Sequence, residues 1–427
     1  MQFFRGTLWR NGDFVKLWSG QTISRIGTQV TTLALPTAAI QLLHAGPAEI
    51  GALLALQFLA FPTVGVVAGV LVDRVRKRPL MIACDVVRFA ALGSVPAAFF
   101  AGAVSMLQLY AVALVTGVCG VVFEVAYQAQ LPALLSREEL VEANAKLEVS
   151  GSTAQVAGPL LGGVLIQVVR AAPAIAFDAL SYLASAAAVA WMRRPEPAPE
   201  PESDPASASE GPAGFWRELR EGVVAVAGHP TMRLLVACTA TCNLAAMMVQ
   251  PLVLPLAYGR LGLSPAAVAV ALTIGSVGSL LGAFVAQPLN DRLGLGPALL
   301  LSGFVTSAGY LLFPAAALGA ALPALAAAYF VVHVGLPAYN VGDATIRQAT
   351  IPAGLQARVV ATTRTVVWGT IPLGAALGGW LGGQIGTVPA LLVAALLGLV
   401  GLGWLLPGPV RVRTAALEPA PGAMGGG

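Results

Sequence analysis

Charge is what this chain has least of. Of its 427 residues, 10% are Asp, Glu, Lys or Arg and 57% are hydrophobic. A soluble body of this size needs far more polar surface, so a water-soluble globular protein is excluded. Histidine is nearly absent, with three residues, and there are only four cysteines. Cys84, Cys119, Cys238 and Cys242 all fall in apolar runs, which argues against a disulfide framework. Cys238 and Cys242 share a helix face, and small buried side chains are the plainer reading than metal ligands. The chain has no Gly-rich phosphate loop ending in Lys-Ser or Lys-Thr, no His-Glu-x-x-His run and no Gly-x-Ser-x-Gly turn. Without these, ATP hydrolysis, zinc proteolysis and serine hydrolysis lose their usual machinery, and neither enzymatic activity nor a cofactor or metal is expected.

What the chain does have is apolar runs of membrane length. A hydrocarbon core of about 30 Å takes roughly 20 residues at about 1.5 Å each. Twelve runs of this kind are predicted: 14–42, 48–71, 79–102, 105–128, 150–169 and 173–192, then 231–257, 265–288, 297–318, 321–343, 361–385 and 387–407. The first is long enough to span and lacks a small-residue cleavage site after a short core, so no cleavable signal is expected. Basic residues beside a span resist translocation. Arg5, Arg10, Lys16, the cluster Arg74 to Arg78, Arg137, Lys146, Arg193, Arg194, Arg217, Arg220, Arg233, Arg292, Arg347, Arg358, Arg364, Arg411 and Arg413 all fall on one side, and only Arg170 and Arg260 on the other. Both termini are therefore expected in the cytoplasm. The net charge of +4 reflects this bias rather than affinity for nucleic acid.

The polar residues inside the spans are the candidate site. The first span carries Gln21, Ser24, Arg25, Thr28, Gln29, Thr31 and Thr32, more polarity than a lipid-facing helix tolerates, so it must line an interior. Arg25 lies roughly 17 Å into the bilayer by helical rise. A charge at that depth needs a wet cavity or a partner. Glu124 in the fourth span and Asp178 in the sixth are the acids proposed to pair with it; Asp178 is placed one turn in from the outer face. Asp85 and Arg88, three apart, can satisfy one another locally and read as structural. The fifth span holds Gln155 and then Gly158, Pro159, Gly162 and Gly163, a run that bends a helix yet lets a neighbour pack backbone to backbone. In the second half, polarity gathers at Asn243, Gln250, Tyr339, Asn340, Asp343 and Gln384. Asp343 with Arg347, four residues on, reads as a helix-end pair, and His333 as a structural histidine.

Between the halves, 193–214 turns abruptly to Pro, Glu, Ala and Ser and cannot build a core. Phe215 to Gly228 follows as an expected amphipathic surface helix. The domains expected are thus 1–192, a linker over 193–230, 231–410, and a disordered tail over 411–427. The halves repeat: Asp291 lies 218 residues after Asp73, Gly378-Gly379 lies 216 after Gly162-Gly163, and Ile351-Pro352 lies 220 after Leu131-Pro132. Offsets this close indicate a duplicated six-helix unit.

Between the second and third spans runs Gly69-Val-Leu-Val-Asp73-Arg74-Val-Arg76-Lys77-Arg78-Pro79, read as a short polar hairpin in which proline forbids a continuous helix. Its spacing, echoed at Gln287 to Gly294 with Asp291 and Arg292, resembles the loop between helices 2 and 3 of the major facilitator superfamily of transporters, although Arg76 stands where the family has a second glycine. Gly158 to Gly163 resembles the fifth-helix pattern of its exporters. With Tyr127 to Pro132, Ala143-Asn144, Phe177 to Tyr182, Leu219 to Gly222 and His229-Pro230, the chain looks like the branch of macrolide-type drug exporters and enterobactin-type siderophore exporters.

The resemblance implies an all-α polytopic membrane protein with twelve transmembrane helices in two pseudo-symmetric six-helix halves, working as a monomer in the bacterial plasma membrane. It implies alternating access, proton-driven efflux of an amphipathic small molecule, and a gate in which Asp73 and Asp291 meet the starts of helices 11 and 5. The family's drug antiporters carry an arginine in helix 4 and this chain has none, so Arg25 with Glu124 or Asp178 is the substitute expected here. A proton-coupled importer of a small nutrient, or a non-transporting sensor on the same fold, remains an alternative, and the direction of solute movement separates the first two.

Overall fold

The computed structural model describes residues 7–193, 220, 223–224, 226–350 and 353–406. Most of the expected linker and amphipathic helix, and all of the expected tail, lie outside these residues. Among them there is no strand, and twelve long helices carry the fold. They are α1 Gly12–Leu43, α2 Pro47–Arg74, α3 Lys77–Phe100, α4 Met106–Leu134, α5 Arg137–Val169, α6 Ala171–Ala190, α7 Pro230–Pro255, α8 Pro265–Leu293, α9 Leu295–Tyr310, α10 Ala321–Thr350, α11 Ala353–Ile385 and α12 Thr387–Gly401. Among the described residues, eleven helices are long and apolar enough to cross a membrane. The burial pattern is inverted relative to a soluble protein: Phe100, Leu107 and Phe284 are more than three-quarters exposed, as lipid-facing side chains should be.

Helix ends follow capping chemistry rather than hydropathy, and several overrun the apolar runs. α2 continues through Asp73 to Arg74 and α3 starts at Lys77, so the hairpin shrinks to Val75 and Arg76. Pro79 sits in the first turn of α3, where a missing N–H costs nothing. α5 starts at Arg137, thirteen residues before the apolar run, because Ser136 and Glu139 form a reciprocal capping box (2.9 and 3.3 Å). α4 runs to Leu134, α10 to Thr350 and α11 starts at Ala353. A hydropathy window stops where polar residues begin, whereas backbone hydrogen bonds continue into water. The proline of the fifth-helix run does not interrupt α5, which is continuous across Pro159.

Two compact units are found, Met1–Phe215 with Gly262–Thr273 and Trp216–Leu261 with Ile274–Gly427. In the first, α1 packs on α5 and α6, α2 on α4, and α3 on α4 and α6. In the second, α7 packs on α11 and α12, and α9 on α10 and α12, the same pairing six helices later. Glycines set the closest approaches in both. Gly158 faces the Gln29 side chain, and a Cβ at Gly162 would stand 3.3 Å from Val30 Cα. Gly374 and Gly378, 216 residues later, face Met247 and Met248 of α7 in the same way. Small residues at these positions let backbones touch without a hydrophobic driving force from solvent.

Candidate functional site

The first unit is hollow beside α1, and the hollow is polar. A cavity of about 350 Å³ is lined by Gln21, Ser24, Arg25, Thr28 and Gln29 of α1, Arg88 of α3, Phe123 and Glu124 of α4, and Glu148, Gly151 and Gln155 of α5. Through Arg25, Glu124 and Glu148 it adjoins a second, of about 520 Å³, that reaches Tyr127 and Pro132. Through Thr28, Arg88 and Gly120 it adjoins a third, of about 210 Å³, walled by Thr31, Gln57, Phe58, Phe61, Asp178 and Tyr182. Each is large enough to hold water among several polar partners. The three form one polar track inside an otherwise apolar unit.

Arg25 enters the track because α5 gives way: a Cβ at Gly151 would stand 2.8 Å from its Nη1. The same nitrogen donates to the Leu147 carbonyl at 3.0 Å. Glu124 is exposed to the track and accepts from Gln128 Nε2 at 2.8 Å. Gln21 is buried, its Nε2 donating to Ser185 Oγ at 3.2 Å. Arg25, Glu124, Gln21, Gln29 and Gln155 therefore share one cavity. Asp178 does not join them. It is two turns into α6, not one, and lies in the third cavity opposite Arg88.

Arg88 is the residue that sequence reasoning undervalued. Its Nη2 donates to Asp85 Oδ1 at 2.6 Å, as the spacing of three predicts, with Asp85 fully buried. Yet its guanidinium also lies 4.5 Å from the Phe123 ring centre and 4.3 Å from that of Tyr182, and it borders both inner cavities. Two aromatic faces from α4 and α6 hold the cation in place. Tyr182 OH shares a hydrogen bond of 2.9 Å with Thr28 Oγ1. The signal available in sequence was Tyr182 four residues after Asp178, which puts both on one face of α6.

The remaining candidates have other neighbours. Arg78 donates through Nε to the Val189 carbonyl at 2.9 Å and through Nη2 to that of Ala190, satisfying the last turn of α6. Gly69 has open space where a side chain would stand, Arg74 is exposed and Lys77 half-buried. Asp73 lies in the last turn of α2, and its side chain is outside those described. Asp291 and Arg292 are exposed in the last turn of α8. Gly163 faces Ala269, with Pro265 O 3.0 Å from where its Cβ would stand, and Pro159 is half-buried.

In the second unit, Asn243 Nδ2 donates to Val367 O at 2.9 Å and Thr370 Oγ1 at 2.8 Å, tying α7 to α11, while Gln250 is exposed. Asp343 is buried, paired with Arg347 and accepting from Thr239 Oγ1 at 3.2 Å. Because α10 runs on to Thr350, the pair is inside the helix rather than capping its end. His333 Nδ1 is 2.8 Å from Tyr329 O, one turn back on its own helix.

Residues 17–249 and 235–422 match the family model of the Major Facilitator Superfamily. A curated relative, the uncharacterized MFS-type transporter YfiS of Bacillus subtilis, is 24% identical over 402 residues, covering 92% of this chain and 93% of its own length. Among solved structures, the nucleoside transporter NupG superposes with a TM-score of 0.70 at 12% identity, over 92% of this chain and 98% of its own. A bacterial homologue of the iron transporter ferroportin, in an inward-facing state, gives 0.68 at 16%, over 93% and 100%. A bacterial homologue of the lysosomal transporter Spinster gives 0.69 at 14%, over 94% and 97%. At these identities the solved structures establish the fold alone.

Proposed function

From the premise that this chain belongs to the Major Facilitator Superfamily and is a multi-pass membrane transporter, we propose that it exports an amphipathic small molecule by alternating access, driven by inward proton flow. The observation that supports this reading is the polar track of the first unit, where Arg25, Glu124 and Glu148 face open volume between helices whose outer faces are apolar. Charge at bilayer depth with no wet cavity, solute or proton to serve is costly. Each proton entering down the potential supplies roughly 2.3 kcal/mol per 100 mV.

Hydroxyl, amide and aromatic side chains make up most of the walls, with Arg25 and Arg88 the cations, which suits a bulky amphipathic solute better than a phosphorylated one; the latter needs a dense arginine or lysine clamp. Export is supported by the likeness of Gly158 to Gly163 to the exporter helix, here used to seat α5 on α1. The basic side, with both termini, is assigned to the cytoplasm of a bacterial plasma membrane. Arg25 with Glu124 serves as the entry to the coupling route. The working unit is a monomer, and protons, the solute and the bilayer are its partners.

The test is accumulation of labelled macrolides, tetracyclines, dyes and siderophores in cells expressing the chain, with and without a protonophore. Lower accumulation, restored by the protonophore, is expected. Higher accumulation that the protonophore abolishes would make the protein an importer and overturn the export reading.

A further inference from the structure

The third cavity is walled by one acid, Asp178, and one base, Arg88, and Arg88 also holds a second acid, Asp85, that does not line it. Asp85 is fully buried and Asp178 is 1% exposed. Arg88, the cation on that cavity's wall, is already committed to Asp85, with its flat faces between Phe123 and Tyr182. Asp178 Oδ1 accepts from Ser181 Oγ at 3.0 Å, one turn on, but Oδ2 has no hydrogen-bond donor. α1 closes over this carboxyl so tightly that a Cβ at Gly27 would stand 2.5 Å from Oδ1. A buried carboxylate oxygen that no protein donor satisfies is costly to hold ionised.

A proton resolves it. Thr31 Oγ1 lies on the same cavity wall and is itself a buried atom with no partner. Placing hydrogen on Asp178 Oδ2 turns two orphan atoms into a donor and an acceptor, and leaves the cluster of Asp85, Arg88 and Asp178 electrically neutral. We infer that Asp178 is the proton carrier of this transporter, neutral in the present state, and that Arg88 is the counter-charge that moves from Asp85 toward Asp178 when the proton leaves.

The surroundings permit that exchange. From α3 the charged group facing Asp178 is Arg88, itself bonded to Asp85, and from its own helix Tyr182; α1 presents the hydroxyls of Thr28, Thr31 and Thr32, and α2 and α4 uncharged residues. α5, which also packs on α6, contributes nothing to this cavity. Arg88 Nε is buried without a partner, so the guanidinium keeps an unused donor for a second carboxylate. The proton departs to water of the adjoining cavity, where Arg88 and Glu124 both line the wall. Arg88 is thus a positioning residue that sets when the Asp178 proton is released.

This inference rests on the proton-driven reading above, and its test does not need a substrate. The purified full chain in lipid vesicles is titrated while the infrared band of protonated carboxylic acid is followed. Wild type should show one such band that disappears at high pH; Asp178→Asn should lack it, Asp85→Asn should keep it, and Asp178→Glu should retain it at a displaced frequency. A band unchanged in Asp178→Asn, or no titrating band in wild type, would overturn the proposal. Where Asp178→Asn fails to fold, the displaced band of Asp178→Glu decides. A band that behaves as expected in a chain showing no proton-dependent transport would leave Asp178 as a proton site and remove the export reading instead.

Discussion

Substituting Arg88 tests whether the buried pair at the track's inner end is an energetic unit. In Arg88→Met the volume is roughly kept, but fully buried Asp85 loses the guanidinium held at 2.6 Å. Breaking a buried pair by removing one partner costs about 3–5 kcal/mol, because a charge stays behind uncompensated. Losing the contacts with Phe123 and Tyr182, at 4.5 and 4.3 Å, adds about 0.5–2 kcal/mol per ring. Methionine sulfur against the same rings returns about 0.3–1.5 kcal/mol.

Net destabilisation of Arg88→Met should therefore reach at least about 2.5 kcal/mol, roughly sixtyfold in the folding equilibrium at about 1.4 kcal/mol per tenfold. Asp85→Asn combined with Arg88→Met removes both charges and should recover most of that loss, since buried pairs replaced whole are near neutral. Unfolding of the purified proteins in mixed micelles, followed by circular dichroism across a denaturant series, gives the three free energies and their coupling. If Arg88→Met lies within about 1 kcal/mol of wild type, or the double variant is no more stable than Arg88→Met, the pair is solvated and the charge-balance argument fails.

Glu124→Gln should fold as wild type, within about 0.5 kcal/mol, since Glu124 is exposed and bonds only Gln128 among the described residues; proton-driven efflux in vesicles should fall at least about tenfold if Glu124 lies on the coupling route. Gly158→Val places a branched side chain where the Gln29 side chain already lies; overpacking of about 1–3 kcal/mol is expected, read as a lower melting temperature, and Gly378→Val should do the same against Met248 in the second unit. Asn243→Leu removes the amide donor shared by the Val367 carbonyl and the Thr370 hydroxyl, although that hydroxyl still donates to the carbonyl at 2.7 Å; a loss of about 0.5–1.5 kcal/mol is expected by the same melting measurement.

The twelve helices and their duplication were legible because apolar length and a constant offset are properties of the chain itself. Helix ends were less so: the polar continuation of α5 back to Arg137 is invisible to hydropathy, although Ser136 and Glu139 carried the capping signal. The gathering of Arg25, Glu124, Gln21, Gln29 and Gln155 on one cavity follows from placing polar residues inward. The partner of Asp178 did not follow. Arg25 and Arg88 are equally plausible from spacing, and the choice is made by Gly27 and Gly151, which bring different helices against opposite sides of α1. Asn243 looked like a cavity residue for the same reason that it is a lock between helices: an amide in an apolar span needs a partner, and sequence does not say whether that partner is solute, water or backbone.

The glycines of α1 and α5 decide where charge is allowed in the first unit. Gly20 and Gly27, seven apart and so on one face of α1, are met by Ser185, Ala188, Ser181 and Asp178 of α6. Gly151, Gly158 and Gly162 of α5 take Arg25, Gln29 and Val30 of α1. α5, α1 and α6 are thereby seated at backbone distance, and hydrogen bonds from Trp18 Nε1 to Ser150 Oγ at 2.8 Å and between Thr28 and Tyr182 at 2.9 Å fasten both seams. Where these seams close they leave no room for a solute; the open volume lies between α1, α4 and α5 and, beyond Arg88, where α1 faces α2, α3 and α4. There Arg88 and Glu124 project from helices that meet α1 without glycine contacts. A tightly packed layer that fixes Arg25 and Asp178, opposed by helices that carry Arg88 and Glu124 across a cavity, allows paired charges to change partners without unpacking the layer that holds them.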